Sequence, residues 1–297
     1  MIRLDGATVL LQWATGGLAF LWVTSRRREV GVGYGWLLRG VFGAMAAGAV
    51  VAATSLPANG LRDACAALTA AAAGGALVVS VVRRRAGVAG ERARTDRRAA
   101  RVASMTGAHR SRTAKAPARQ NWRAGALAEG SAREFPPALD LLAPAIGMVG
   151  LIAAASDAGG PGALAVVRTL VGAAFLGAVT DAMLLGHWYL VQPGLGRAPL
   201  LELVRWTAGM WPLEVAALAW PPGMARVLTG GIDDGWHGTL GWFWAACAVA
   251  TIVLTAVTRA ALRERAYSAV MAATGLLYLA ILTAFGTDLV ARVVLAP

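Results

Sequence analysis

Charged side chains are scarce in this sequence. Only 15% of its 297 residues are Asp, Glu, Lys or Arg, whereas 57% are hydrophobic and the mean hydropathy is +0.58. A soluble domain usually carries about 25% charged residues. The shortage of charge excludes an ordinary soluble globular domain and places the chain among integral membrane proteins.

Cysteine and histidine, which bind most transition metals and haem, are also rare. Cys65 and Cys247 lie inside apolar runs and form no CxxC or CxxCH motif, which argues against a zinc site, a covalently attached haem or a disulfide framework. His187 is the one histidine inside an apolar run, so this chain alone cannot supply bis-histidine haem ligation. We therefore assign no cofactor. Haem is the one candidate, and it is disfavoured because His187 would be its only histidine ligand.

Catalytic motifs are absent as well. The sequence contains no Walker loop, no GxSxG and no HExxH pattern. Asp233, Asp234 and His237 offer metal ligands in one loop, but a turn in which an Asp caps a helix explains the same residues more simply. The sequence thus favours a role other than catalysis, and we assign no metal ligands.

Long apolar runs fill most of the chain instead. A hydrocarbon core about 30 Å thick needs about 20 apolar residues of helix. Eight stretches meet this requirement: 6–24, 36–56, 64–82, 139–156, 164–190, 200–220, 239–258 and 267–287. The sixth is the least apolar, because Glu202, Arg205, Pro212 and Glu214 interrupt it. We predict an all-α, polytopic transmembrane bundle of about eight spans.

Basic residues are distributed very unevenly between alternate connections. If the N-terminus lies outside, the cytoplasmic connections hold 21 arginine and lysine residues and the outer ones hold four. Cytoplasmic loops of membrane proteins accumulate these residues. The distribution therefore predicts that both termini lie outside and that the protein resides in the cell (inner) membrane.

Most of the net charge comes from one connection, residues 83–138. It holds 14 basic and four acidic side chains, a net charge of +10 out of +12 for the whole chain. High charge and few large apolar residues predict a disordered cytoplasmic loop, with one candidate helix over 86–105. This loop separates a three-helix membrane segment, 1–82, from a five-helix segment, 139–297.

The partner of the arginine-rich loop has three interpretations. Anionic lipid headgroups are favoured, because each basic residue near the membrane surface gains about 1 kcal/mol. An acidic cytosolic protein comes second. Nucleic acid comes last, because Trp122 is the only aromatic residue that could stack on a base and no recognition motif is present.

Ionisable residues inside apolar runs are the candidate functional groups, because each costs at least about 2.5–3.5 kcal/mol at the bilayer centre. The fifth and sixth runs hold the densest set: Asp181, His187, Glu202, Arg205 and Glu214. Axial position lets Arg205 meet Asp181 or Glu202, and lets His187 meet Glu202. Glu214 points away from Arg205 unless Pro212 kinks the helix. The alternative is that paired charges simply lock the two helices together.

Two further patterns predict contacts between and within helices. Small residues four apart mark close-packing faces at Gly40, Ala44 and Gly48, and again at Ala173 and Gly177. Asp288 and Arg292, also four apart, suit a local ion pair.

Three functional classes remain open at this stage. The first is a membrane subunit or scaffold of a larger complex, for example a respiratory one, which would include other membrane subunits as partners. The second is a small proton-linked transporter or permease that uses the polar cluster of the fifth and sixth helices. A membrane enzyme ranks lowest, because no catalytic constellation is visible.

Overall fold

The computed structural model describes residues 5–27, 29–83, 102, 135–157, 162–192, 194–264 and 266–296. Every regular element in these ranges is helical, and they contain no strand. The predicted disorder of residues 83–138 and the candidate helix 86–105 fall almost entirely outside the described residues. The all-α class is confirmed.

The chain forms nine α-helices and one 3₁₀ turn in the described ranges. The helices are α1 (Gly6–Ser25), α2 (Val32–Ala53), α3 (Gly60–Val82), α4 (Leu142–Ser156), α5 (Gly162–Val191), α6 (Ala198–Ala219), α7 (Met224–Leu228), α8 (Thr239–Ala261) and α9 (Tyr267–Val294). The 3₁₀ turn, Pro137–Leu141, leads directly into α4.

Seven of these elements are long and apolar enough to cross a membrane: α1, α2, α3, the 3₁₀ turn with α4, α5, α8 and α9. The apolar helices indicate a membrane-embedded protein. The remaining long helix, α6, occupies the predicted sixth span and is continuous through Pro212, but it carries Glu202, Arg205 and Glu214. These charges set it apart from the seven apolar elements.

The bundle is organised around α1 and α5, which are its most buried helices. α1 packs against α2, α4 and α5, and α5 packs in turn against α6 and α9. We call the end of the bundle where α1 begins the N-terminal side. The opposite end, where α3 leads into the arginine-rich loop, is the arginine side.

Glycine allows α1 and α5 to touch along their backbones. A Cβ atom at Gly16 would lie 1.9 Å from the carbonyl oxygen of Ala173, and one at Gly177 would lie 2.2 Å from the carbonyl carbon of Gly16. The predicted close-packing face at Ala173 and Gly177 is therefore confirmed.

The other predicted face, on α2, is wrong as an internal contact at two of its three residues; the third, Gly48, lies beside Leu10 of α1. Gly40 and Ala44 are exposed, and a Cβ atom at Gly40 would meet nothing within 4 Å. Phe42 performs the packing instead: its ring is fully buried and lies against Gly17 of α1. Spacing identified a small-residue stripe, but the large aromatic side chain decided which face of α2 turns inward.

Candidate functional site: buried carboxylates in the bundle

Ionisable side chains are common in the interior of this bundle. Within the described part of the chain, the buried ones with a carboxylate or guanidinium are Asp5, Arg39, Arg62, Asp140, Arg168, Asp181, Glu214, Asp288 and Arg292. Burying such a group costs several kcal/mol unless it is paired and hydrogen-bonded. The partners of each group therefore separate structural charges from candidate functional ones.

Two buried ion pairs join neighbouring helices near the ends of the bundle. On the arginine side, Arg39 of α2 donates from Nε and Nη2 to the two carboxylate oxygens of Asp140, both at 2.8 Å. On the N-terminal side, Arg62 at the start of α3 binds Asp5, the N-cap of α1, at 3.0 Å. Both pairs satisfy the carboxylates that they bury.

A polar cluster surrounds Gly172, in the part of the bundle nearer the N-terminal side. Arg292 of α9 donates from Nε to Asp288 at 2.7 Å and from Nη2 to the amide oxygen of Gln12 on α1. The Gln12 amide nitrogen in turn donates to Asp288 at 3.4 Å. The predicted Asp288–Arg292 pair is confirmed, although it is buried in the bundle and not at its surface.

Gly172 of α5 makes room for this cluster. A Cβ atom there would lie 2.4 Å from Nε2 of Gln12, 2.8 Å from Oδ1 of Asp288 and 3.6 Å from Oε1 of Glu214. These distances place side chains from α1, α6 and α9 around one point on α5. We call Gln12, Gly172, Glu214, Asp288 and Arg292 the Gly172 cluster.

Glu214 is the exceptional member of the Gly172 cluster. Its side chain is fully buried, yet neither carboxylate oxygen has a hydrogen-bond partner among the described residues. Arg292 is already bonded to Asp288 and Gln12, and Asp288 carries a charge of the same sign as an ionised Glu214. The site therefore holds a second carboxyl group without giving it the donors that the first one has.

Arg168 lies one helical turn from Gly172 on the same face of α5. Its guanidinium donates to the carbonyl oxygens that end α6: Ala217 at 2.9 Å, Trp220 at 2.8 Å and Pro222 at 2.7 Å. This cation complements the unsatisfied carbonyls of the helix C-terminus. Its remaining nitrogen, Nη1, has no hydrogen-bond partner in the part of the chain that the structure describes, and the charge of Arg168 acts on Glu214.

Asp181 is a second buried carboxylate without a partner. It lies on α5, is completely inaccessible to solvent, and neither side-chain oxygen accepts a hydrogen bond from any described residue. The hydroxyl of Tyr34 on α2 donates to the backbone carbonyl of Asp181 at 3.2 Å, not to its carboxylate.

Comparisons with protein-family models, with curated proteins and with solved structures find no match. The geometry of the buried charges is therefore what identifies the candidate functional groups.

The predicted pairing of Arg205 is wrong. Glu202 binds Arg27 at 3.0 Å and also binds Arg26, both of which follow the end of α1. Arg205 is exposed, and its Nε donates to the carbonyl oxygen of Leu201 in its own helix at 3.2 Å. The arginines after α1 reach Glu202, so the charge of Arg205 is not needed inside the bundle.

The five residues of the predicted cluster are consequently dispersed. His187 is exposed and shares a hydrogen bond of 3.1 Å with Tyr278 of α9, so it does not meet Glu202. Asp181 stands apart from both. Glu214 joins the Gly172 cluster, a grouping that sequence reasoning missed. The sequence does contain one indication of this grouping: Arg168 and Gly172 are four residues apart, and so are Asp288 and Arg292.

In the loop before α8, Asp234 caps the helix, as predicted, whereas Asp233 accepts a hydrogen bond from the backbone amide of Gly235 in the turn. The carboxylate of Asp234 accepts hydrogen bonds of 2.8 to 3.2 Å from the backbone amides of Trp236, Gly238, Leu240 and Gly241. Desolvation raises the pKa of Asp234, but these four amide bonds outweigh it and hold the pKa below its ordinary value. Among the described residues, no group of three or more potential ligands could hold a metal ion.

Proposed function

We propose that this protein is a proton-linked membrane transporter in which Glu214 binds and releases the transported proton. The observation that carries the proposal is a fully buried glutamate that has no hydrogen-bond partner among the described residues and lies beside an Asp–Arg pair inside the bundle. Ionisable groups inside membrane bundles are expensive, and they mark ion and proton pathways.

The charges around Glu214 favour a proton on its carboxyl group at rest. An ionised Glu214 would lie next to ionised Asp288, and two neighbouring carboxylates disfavour the charge on one of them. Arg292 is bonded to Asp288 and Gln12, so it does not remove this repulsion through a direct bond to Glu214. A protonated Glu214 leaves the Asp288–Arg292 pair as a neutral unit.

To release the proton, Glu214 requires a nearby group that transiently stabilises its ionised carboxylate. Arg292 and Arg168 are both such groups, because the charge of each acts on Glu214, and that of Arg292 acts more strongly. The bonds of Arg168 to the end of α6 hold that second cation in place. Glu214 therefore alternates between a neutral acid and a carboxylate close to these two guanidinium groups.

The 21 to 4 distribution of arginine and lysine supports a cytoplasmic position for the arginine side. With Cys65 and Cys247 replaced by Ala, a cysteine placed at exposed Asp233 should react with an impermeant reagent added outside intact cells. A cysteine placed at exposed Glu264 should not react until the membrane is opened. The reverse pattern would reject this orientation.

The decisive test of function compares Glu214→Gln with Glu202→Gln in proteoliposomes under an imposed membrane potential. The wild-type protein should pass protons faster than protein-free liposomes, and Glu214→Gln should fall to the protein-free rate because glutamine cannot carry the proton. Glu202→Gln lies on the same helix and should retain the flux, because Glu202 is held by arginines at the bundle end. Wild-type flux in Glu214→Gln, or none in the wild type, would contradict the proposal.

A membrane subunit of a larger complex is the second candidate function. The exposed face of α2 with Gly40 and Ala44 favours it, because small residues let another helix approach closely in lipid. Purification in mild detergent followed by mass spectrometry distinguishes the two: a subunit should retain stoichiometric partners, whereas an independent transporter should purify alone with its proton flux.

A further inference from the structure

We infer that Asp181 is a second proton-binding site, located between the Gly172 cluster and the arginine side, so that a proton passes two carboxyl groups in succession. This inference rests on the proposed function of Glu214. It assigns Asp181 as the group with which Glu214 exchanges its proton on the arginine side of the bundle.

Burial and the lack of partners carry the assignment. Asp181 is as inaccessible as Glu214, and both of its carboxylate oxygens lack hydrogen bonds within the described ranges. Every other buried aspartate in those ranges is bonded to an arginine: Asp5, Asp140 and Asp288. An isolated ionised carboxylate in such an environment is strongly disfavoured, whereas the neutral acid is tolerated.

The groups that face Asp181 do not supply a permanent counter-charge. Tyr34 of α2 is a titratable neighbour that the charge of Asp181 reaches, and Tyr34 interacts in turn with Tyr189 of α5. Both are neutral hydroxyl groups at physiological pH. The site therefore differs from the Gly172 cluster, which contains Asp288, Arg292 and Arg168, and its natural ligand is a proton.

Asp181 and the Gly172 cluster occupy different depths in the bundle. Nine residues of α5 separate Gly172 from Asp181, which corresponds to about 14 Å along the helix axis. The same nine residues correspond to a rotation of about 180°, so the two sites lie on opposite faces of α5. A single proton cannot be shared directly between them, and intervening polar groups are needed.

Polar side chains of α1 and α5 occupy the interval between the two carboxyl groups. Trp13 of α1 donates to the hydroxyl of Thr180, the residue before Asp181, at 2.8 Å. Gln12 belongs to the same part of α1 and contacts the Gly172 cluster.

Hydroxyl groups also lead from Asp181 toward the arginine side. The hydroxyl of Thr24 at the end of α1 faces Tyr34. Its neighbour Ser25 donates to the carboxylate of Asp140 at 2.9 Å, next to the Arg39 guanidinium. Hydroxyl side chains thus lie between Asp181 and the arginine side. The hydroxyl of Tyr34 donates to the backbone carbonyl of Asp181, and that of Thr24 donates to the backbone carbonyl of Leu21.

Infrared spectroscopy tests the inference in the unmodified protein. Protein in lipid nanodiscs at neutral pH should show the carbonyl stretching band of a protonated aspartic acid, and the band should shift when aspartate alone carries ¹³C at its carboxyl carbon. The band should disappear in Asp181→Asn and persist in Asp233→Asn, which changes an exposed loop carboxylate. Absence of a protonated aspartate band in the wild type would overturn the inference without any variant.

Proton flux separates failure of this inference from failure of the proposed function. Asp181→Asn should reduce flux in proteoliposomes to the protein-free rate, and Asp181→Glu should restore part of it while moving the protonated band to the glutamate-labelled set. Flux at the wild-type rate in Asp181→Asn, with flux abolished in Glu214→Gln, would overturn the second site and leave the first. Flux at the wild-type rate in both variants would overturn both.

Discussion

Asp140 and Glu214 are both buried carboxylates close to an arginine, yet their surroundings differ completely. Asp140 accepts two hydrogen bonds from Arg39 and one from Ser25, so every charge in that region is compensated. Glu214 lies beside Arg292 and Arg168 and accepts no hydrogen bond from either. In the first region the arginine joins α2 to the 3₁₀ turn that leads into α4. In the second region a carboxyl group remains available to bind a proton.

The difference shows how a buried charge can be assigned a role. A buried ion pair whose members are hydrogen-bonded to each other is costly to break. Its carboxylate does not readily bind a proton, because the hydrogen bonds hold both partners in their charged forms. A carboxyl group without donors is more easily kept neutral, and replacing it breaks no hydrogen bond that stabilises the fold. Substitutions in the two regions should therefore differ as clearly in their effect on the free energy of unfolding as in their effect on proton flux.

The largest effect is expected at the Arg39–Asp140 pair. Arg39→Ala should lower the free energy of unfolding by about 3–5 kcal/mol, because it leaves Asp140 buried without its main counter-charge. Unfolding by denaturant in mixed detergent micelles, followed by helical circular dichroism, measures the change. Glu214→Gln is the matched comparison in the other region and should have a much smaller effect.

A double variant shows that the loss arises from the pair. Arg39→Ala with Asp140→Ala should cost less than the sum of the single changes, with a coupling of about 0.5–3 kcal/mol. Additive costs would mean that Arg39 stabilises the fold through its other contacts, such as the Phe135 ring 4.3 Å from its guanidinium carbon. Arg39 and Asp140 would then not serve as the compensated ion pair in the comparison between the two regions.

A smaller effect is expected from filling the space inside the Gly172 cluster. Gly172→Ala places a methyl group 2.4 Å from the Gln12 amide nitrogen and 2.8 Å from Asp288, so these side chains must move. Overpacking of this kind costs about 1–3 kcal/mol. The displacement of Asp288 should also reduce proton flux if Glu214 depends on it.

Gly209→Ala is the matched control for the Gly172 change. Gly209 lies on α6 with nothing within 4 Å of a Cβ atom, so the substitution adds helix propensity and no clash. It should raise the free energy of unfolding by up to about 1 kcal/mol. A gain of stability at Gly172 similar to that at Gly209 would show that the cluster is loosely packed and would weaken its assignment as a site.

Sequence reasoning recovered the elements whose information is local. Length and apolarity predicted the helical membrane bundle, and a spacing of four within one helix predicted the Asp288–Arg292 pair. Asp234 as a helix cap was also accessible, because a cap and its amides are near neighbours in the chain. Each of these depends on a few consecutive residues or on one helix.

The Gly172 cluster was not predictable in the same way. It joins Gln12 to Arg292, residues 280 positions apart, and requires knowledge of which helices are neighbours. Axial depth placed Arg205 level with Asp181, but depth does not determine the rotation of α6 about its axis. The exposed side of α6 includes Arg205, and the arginines after α1, about 175 residues earlier in the chain, bind Glu202.

The smallest effect is expected at Arg205 itself. Because its guanidinium is exposed and bonds only the carbonyl of Leu201 among the described residues, Arg205→Ala should change the free energy of unfolding by about 0.5 kcal/mol or less. Combined with Asp181→Asn or with Glu202→Gln, it should be additive within about 0.3–0.5 kcal/mol, since groups without a shared contact do not couple. The same detergent unfolding assay measures the three single variants and the two double variants. Clear coupling to Asp181 would mean that Arg205 turns inward and neutralises that carboxylate. Asp181 would then resemble Asp140, and a permanently paired carboxylate there could not act as the second proton site.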